Sequence, residues 1–182
     1  MKELRFHGRR EPRYDRVAPF VAAPRLLAEA ALREGHHVQF RPPWLFLRGF
    51  TPEAALLRVD RESIETYQQE AFLDAVVVTD PTLLRQVGVV TGLKPGGFVL
   101  VNSVGPVTLP DKARVITRDL SRIATAHKTE LTAALVGAVI GLTSLVRLET
   151  AEQLLKGAEG TDRAVRAALA ALHAAFEAAR EA

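Results

Sequence analysis

Apolar and polar residues alternate along "KELRFH", residues 2 to 7, and a period of two predicts a strand with one face in a core. At "APRLLAEAALREGHHV", residues 23 to 38, the apolar positions recur at helical spacing until Gly35, a residue suited to stopping a helix. "HHVQF" (36–40) and "AALLRVD" (54–60) read as strands, with "WLFLRGF" (44–50) between them as an apolar stretch that fits either element. "DAVVVTD" (74–80) and "FVLVNS" (98–103) carry unbroken apolar runs, the pattern of parallel strands covered on both faces. A Lys94-Pro95-Gly96-Gly97 turn feeds the second of these, and "ARVITRD" (113–119) is a third strand. From Leu120 onward the pattern is helical, ending in "TDRAVRAALAALHAAFEAAREA", whose Val165, Leu169, Leu172 and Phe176 share a face. That face must pack on the chain's own sheet or on a partner. Strands alternating with helices, then a helical tail, predict an α/β fold: three layers, a mostly parallel Rossmann-like sheet with helices on both faces, and a helical C-terminal segment.

A chain of 182 residues is expected to make one domain, 1–182, within which "KGAEGT" (156–161) divides an α/β part, 1–157, from a C-terminal helix, 158–182. It is 48% hydrophobic and 25% charged, as globular proteins are, and no apolar run approaches a membrane span. "MKELRF" lacks the apolar core of a secretory signal, so a cytoplasmic location is expected. With no cysteine, the chain excludes thiolate-held iron–sulfur clusters, disulfides and a Cys nucleophile. The net charge of +3 is modest, and a nucleic-acid role would call for a denser basic stripe interleaved with aromatics. Neither nucleic acid nor membrane is an expected partner.

Ligands in parallel α/β sheets gather beyond the carboxyl ends of the strands. Three segments meet that condition: "GRREPRYD" after the first strand, "DPTLL" after "AVVVT", and "NSVGP" after "FVLV". Asp80 before Pro81 is a helix N-cap with proline at the first helical position, and Asn102 with Ser103 suits a cap or turn. Either residue could also touch a ligand. His36 and His37 point to opposite faces of a strand and have no third ligand at metal spacing. No metal is expected. His7 ends the first strand beside Gly8 and could face a ligand, though it reads better as a satisfied structural histidine, while His127 and His173 have no evident partners. There is no G-x-S-x-G elbow, Walker loop or H-E-x-x-H motif, so no catalytic residue is assigned.

Several stretches in order, "RFHGR", "RLLAEAALREG", "LRGF", "DAVVVTDPTLL", "GLKPGGFVLVNS" and "TAALVGAVIGLTSLVRLETAEQLL", resemble the gamma subunit or domain of the 2-oxoacid:ferredoxin oxidoreductases. That group acts on pyruvate, 2-oxoglutarate, 2-oxoisovalerate or indolepyruvate, and the likeness spans residues 2 to 157. It implies a subunit that helps convert a 2-oxoacid to its acyl-CoA with electrons passing to ferredoxin. It further implies a share in coenzyme A binding and active-site closure, with thiamine diphosphate and iron–sulfur clusters on partner subunits.

The glycine-rich turn of the family is replaced here by "REPRYDRVAPFV" after Gly8-Arg9, and Thr132 stands where the family helix has Asn. Proline removes a donor and fixes φ, so a backbone anion nest gives way to side chains. Cofactor-binding candidates are therefore Gly8, Arg9, Arg10, Arg13, Asp80, Asn102 and Thr132. The arginines could fork onto phosphates, or pair with Glu11 and Asp15. Trp44, Leu45 and Phe46 suit either core or a subunit contact. A second role consistent with the altered turn is a non-catalytic structural or regulatory module on the same scaffold.

Overall fold

The computed structural model describes residues 1–9, 17–43, 54–66, 72–86, 88–109, 113–158 and 160–181. Arg10, Arg13, Glu11, Asp15, Trp44, Leu45, Phe46 and the "LRGF" stretch lie outside these. In chain order the elements are β1 (Lys2–His7), α1 (Pro19–Arg33), β2 (His37–Arg41), β3 (Ala54–Asp60), β4 (Leu73–Val78), a 3-10 helix (Pro81–Arg85), β5 (Leu93–Asn102), β6 (Arg114–Arg118), α2 (Leu120–Ala126), α3 (Leu131–Thr143), α4 (Leu148–Lys156) and α5 (Asp162–Arg180).

The strands form one sheet in the order β2-β3-β1-β4-β5-β6. The β1–β4, β4–β5 and β5–β6 pairs are parallel, while β3 runs against both β1 and β2. The layered α/β fold is thus the one expected, on a mixed sheet in which β3 alone is reversed. The apolar runs sit where predicted, with Ala75, Val76, Val77 and Val78 of β4 fully enclosed. The Lys94-Pro95-Gly96-Gly97 segment proves to be part of β5: Leu73 pairs with Leu93, yet Ala75 pairs with Phe98, so the extra residues bulge out of the ladder. Gly96, at φ 84°, supplies the left-handed residue that the bulge needs.

The two faces of the sheet are covered differently. All five α-helices contribute to one core cluster, which takes in Leu4, Phe6, Leu57, Val77 and Leu100 from the strands. On the other face Leu56, Val76, Val78, Val99 and Val101 pack under Leu83 of the 3-10 helix and Val89 of the segment after it. α5 lies on α3 through Leu172 of the marked face, turned toward the helix's small residues. Its buried side chains are Ala171, Leu172, Ala175 and Ala179, while Val165, Leu169 and Phe176 are only partly covered. The reason is close approach. A Cβ on Gly137 of α3 would overlap the Leu172 carbonyl oxygen, and one on Gly141 would stand 2.7 Å from the Phe176 carbonyl oxygen, so glycine lets the two backbones touch.

Candidate functional site

Because β1, β4 and β5 are parallel and in register, their carboxyl ends share one edge, with His7 beside Val78 and Val78 beside Val101. The chain leaves that edge at Gly8-Arg9, Thr79-Asp80 and Asn102, so three of the segments singled out from sequence meet here. Thr79 ties two of them, its amide and hydroxyl both donating to the His7 carbonyl at 3.0 and 3.1 Å.

Asp80 caps the 3-10 helix as its position before Pro81 predicts, its Oδ1 accepting from the Thr82 amide at 2.9 Å and the Thr82 hydroxyl at 2.6 Å. Its Oδ2 accepts from Arg9 Nε, and Arg9 Nη2 donates to the Thr82 hydroxyl oxygen at 2.8 Å. Burial alone would push the Asp80 carboxyl up, but the Thr82 and Arg9 hydrogen bonds outweigh it and hold the group below its ordinary value. Arg9 thus pairs with Asp80, 71 residues away in sequence. Thr82 is a member of this clasp that the sequence reading passed over. The Asp-Pro-Thr spacing, in which a hydroxyl follows the cap by two residues, is the signal that would have found it.

Gly8 is buried and takes no left-handed φ. It is glycine because a Cβ there would overlap the ring of Phe20 at the start of α1. Asn102 stitches rather than gapes: its Nδ2 donates to the Thr79 carbonyl at 3.0 Å and the Ser121 hydroxyl at 2.9 Å, and its Oδ1 accepts from the Ser121 amide at 3.0 Å. Thr132 lies in the first turn of α3, half-buried, and no hydrogen bond joins it to Gly8, Arg9, Asp80 or Asn102 among the described residues.

His7 departs from the satisfied histidine expected. It is 2% exposed, and neither ring nitrogen has a hydrogen-bond partner among the described residues. Burial pushes its pKa down to about 4; nearby Arg5 adds to that, and the Val89 backbone pulls weakly the other way without completing a hydrogen bond. His7 is thus held as a neutral imidazole at the base of the Arg9 turn. His173 does have a partner, Glu152 Oε1 at 2.9 Å from its Nε2, and His36 approaches Glu34 at 3.9 Å. No group of three His, Cys, Asp or Glu at metal-holding distance occurs among the described residues, and none of the described helices is long and apolar enough to cross a membrane. A cleft of about 820 Å³ opens at the opposite, amino edge of β1, away from Gly8, Arg9, Asp80, Asn102 and Thr132.

A six-stranded α/β sheet whose parallel strands end in turns at one edge defines the class, and the relatives define the family. Residues 20–180 match the model of the pyruvate ferredoxin/flavodoxin oxidoreductase family, and the chain belongs to it. The pyruvate/ketoisovalerate oxidoreductases common subunit gamma of Thermococcus litoralis is 33% identical over 166 residues, which is 86% of this chain and 85% of that one. The crystal structure of pyruvate oxidoreductase subunit PORC from Thermotoga maritima has 28% identity and a TM-score of 0.74, covering 97% of this chain and 95% of that one. The 2-oxoglutarate:ferredoxin oxidoreductase of Magnetococcus marinus, solved with 2-oxoglutarate, coenzyme A and succinyl-CoA, shares the fold at 16% identity and a TM-score of 0.67, with 99% of this chain matching 31% of that one.

Proposed function

We propose that this chain is the gamma subunit of a 2-oxoacid:ferredoxin oxidoreductase, working in the cytoplasm with partner subunits that carry thiamine diphosphate and iron–sulfur clusters. Its own part is to grip coenzyme A and close over the active site at the carboxyl edge of the sheet, while electrons leave for ferredoxin through its partners. The observation that carries this reading is the near full-length match to gamma subunits of the family, 86% of this chain against 85% of the relative. The clasp supplies the physical means. Asp80 and Thr82 occupy Arg9 Nε and one Nη2 hydrogen, which fixes the plane of the guanidinium and leaves its remaining N–H groups to donate to phosphate oxygens. Arg10 and Arg13 follow Arg9 in the sequence, and their guanidinium forks would add to the grip on phosphate.

A second reading, that the scaffold serves as a structural or regulatory module, is favoured by the same clasp. Arg9 already has an acidic partner and needs no ligand to satisfy it.

The two readings separate when the tagged chain is purified from its own organism and the eluate is tested for 2-oxoacid- and CoA-dependent dye reduction. The triple substitution Arg9→Ala, Arg10→Ala, Arg13→Ala is expected to leave assembly intact and raise KM for coenzyme A by about tenfold or more, with a smaller change in KM for the 2-oxoacid. Active complexes indifferent to the three substitutions assign the turn to structure, and purification without cluster-bearing partners overturns the subunit reading.

A further inference from the structure

We propose that the cleft at the amino edge of the sheet binds a small organic anion with an apolar body, an aryl or alkyl carboxylate or phosphate. Its volume, about 820 Å³, lies within the roughly 300–1,000 Å³ of small-molecule sites. Val59, Ile140, Leu145, Leu148 and Phe176 give it apolar walls.

The charges in its lining are unevenly matched. The Met1 ammonium meets Asp60 at 2.9 Å, and Arg147 meets Glu34 at 3.6 Å. Lys2, Arg61 and Arg180 also line the cleft, and none of the three has a carboxylate partner among the described residues; Glu149 is the one lining acid left without a cation. Cationic groups are in surplus. The Arg180 guanidinium stands 5.4 Å from the Phe176 ring centroid, which places a cation and an aromatic face side by side. An anion on an apolar body would use both: its charged end replaces water on the guanidinium, and its body covers the ring.

Basic residues also complement helix carboxyl ends, and α3 and α5 both finish here. That role is weak at exposed positions and asks for no apolar concavity. The cleft sets apolar and polar lining side by side in similar measure, which suits a ligand with an apolar body and a charged end.

The test is an amide chemical-shift titration of the full chain with phenyl phosphate. Expected is saturable binding with a Kd of about 1 mM or tighter, with shifts centred on Arg61, Leu145 and Phe176, and a Kd weakened about tenfold or more in the double variant Arg61→Gln, Arg180→Gln. The Lys2→Gln variant, altered only at the strand edge, is expected to weaken binding about threefold while its melting curve stays that of the parent chain. The Arg9→Ala, Arg10→Ala, Arg13→Ala chain should bind phenyl phosphate as the parent does, which keeps this site separate from the carboxyl-edge turn. No saturation, equal affinity for inorganic phosphate, shifts centred on Gly8 and Asp80, or unchanged affinity in the double variant would each overturn the proposal.

Discussion

Strand β1 looks out on two different environments. Leu4 and Phe6, both fully buried, point into the helix-covered core. Glu3, Arg5 and His7, the alternate residues, fall on the loop-covered side with Leu56, Val76 and Val78 of the neighbouring strands. On the helical side β1 buries only hydrocarbon at Leu4 and Phe6; on the other it carries a polar stripe. Glu3 and Arg58 form an ion pair at 2.8 Å with side chains 2% and 1% exposed, and Arg58 also donates to Gln39 Oε1 at 2.7 Å and the Thr66 carbonyl at 3.2 Å. Arg5 donates to the Thr91 carbonyl at 3.0 Å.

The contrast follows from what does the covering. The middle of an α-helix satisfies its own backbone, so Leu4 and Phe6 beneath it meet no group that needs a partner, while helix ends do ask for one, as Asn102 and Arg118 supply to α2 and α5. A loop brings unpaired carbonyls over the sheet, and something must donate to them. Thr66 and Thr91 obtain their donors from arginines rooted in β3 and β1. His7 sits in the same stripe with no hydrogen-bond partner among the described residues, and its neutrality limits the cost.

The largest effect should come from halving the buried ion pair. Arg58→Met strands the Glu3 carboxylate and is expected to cost about 3–5 kcal/mol in urea unfolding, whereas Glu3→Leu with Arg58→Met regains about half of that. Equal losses in single and double variants would show that the loop carbonyls, not the carboxylate, set the cost. On the helical side, Gly137→Ala gains helix propensity yet is expected to cost about 3 kcal/mol, because the methyl meets the Leu172 carbonyl and forces α3 and α5 apart. An unchanged melting temperature would mean the helical side is looser than its glycines imply.

The smallest effect is one of pH. His7 has a folded pKa near 4, below the ordinary value of 6.5, so the unfolded chain binds the proton more readily between those values. Stability from this residue is complete above pH 6.5 and is lost as pH falls toward 4, by about 2 kcal/mol between pH 7 and pH 5. Asp80, held below its ordinary value, loses stability in the same direction only at lower pH. His7→Leu is expected to flatten the slope of urea stability from pH 7 to 5 and to add about 1 kcal/mol at pH 7 by removing unpaired polar atoms. A slope unchanged by the substitution assigns the acid sensitivity elsewhere.

The alternation of residues 2 to 7, the apolar run of β4 and the cap at Asp80 could all be read from the chain, because each is a local property. The carboxyl-edge site was legible to the same extent: parallel strands put Gly8, Asp80 and Asn102 at one edge, and they are found there. Pairing partners were not. Glu3 meets Arg58 because β1 and β3 run antiparallel in the register Glu3 to Arg58, and Arg9 reaches Asp80 because β1 lies beside β4.

Small residues were silent as well. Of the α5 face marked by Val165, Leu169, Leu172 and Phe176, Leu172 is fully buried, and Ala171, Ala175 and Ala179 join it because small side chains let α5 approach Gly137 and Gly141. Hydropathy patterns register what a residue gains by leaving water, not how near two backbones can come. The sequence by itself determined the strands, the helices, the candidate edge and the thiolate chemistry that a chain without cysteine cannot perform. Strand order, the reversal of β3, the ion pair across 55 residues and the unpartnered His7 were decided by tertiary structure, where hydrogen-bond register and close packing join residues that no local period connects.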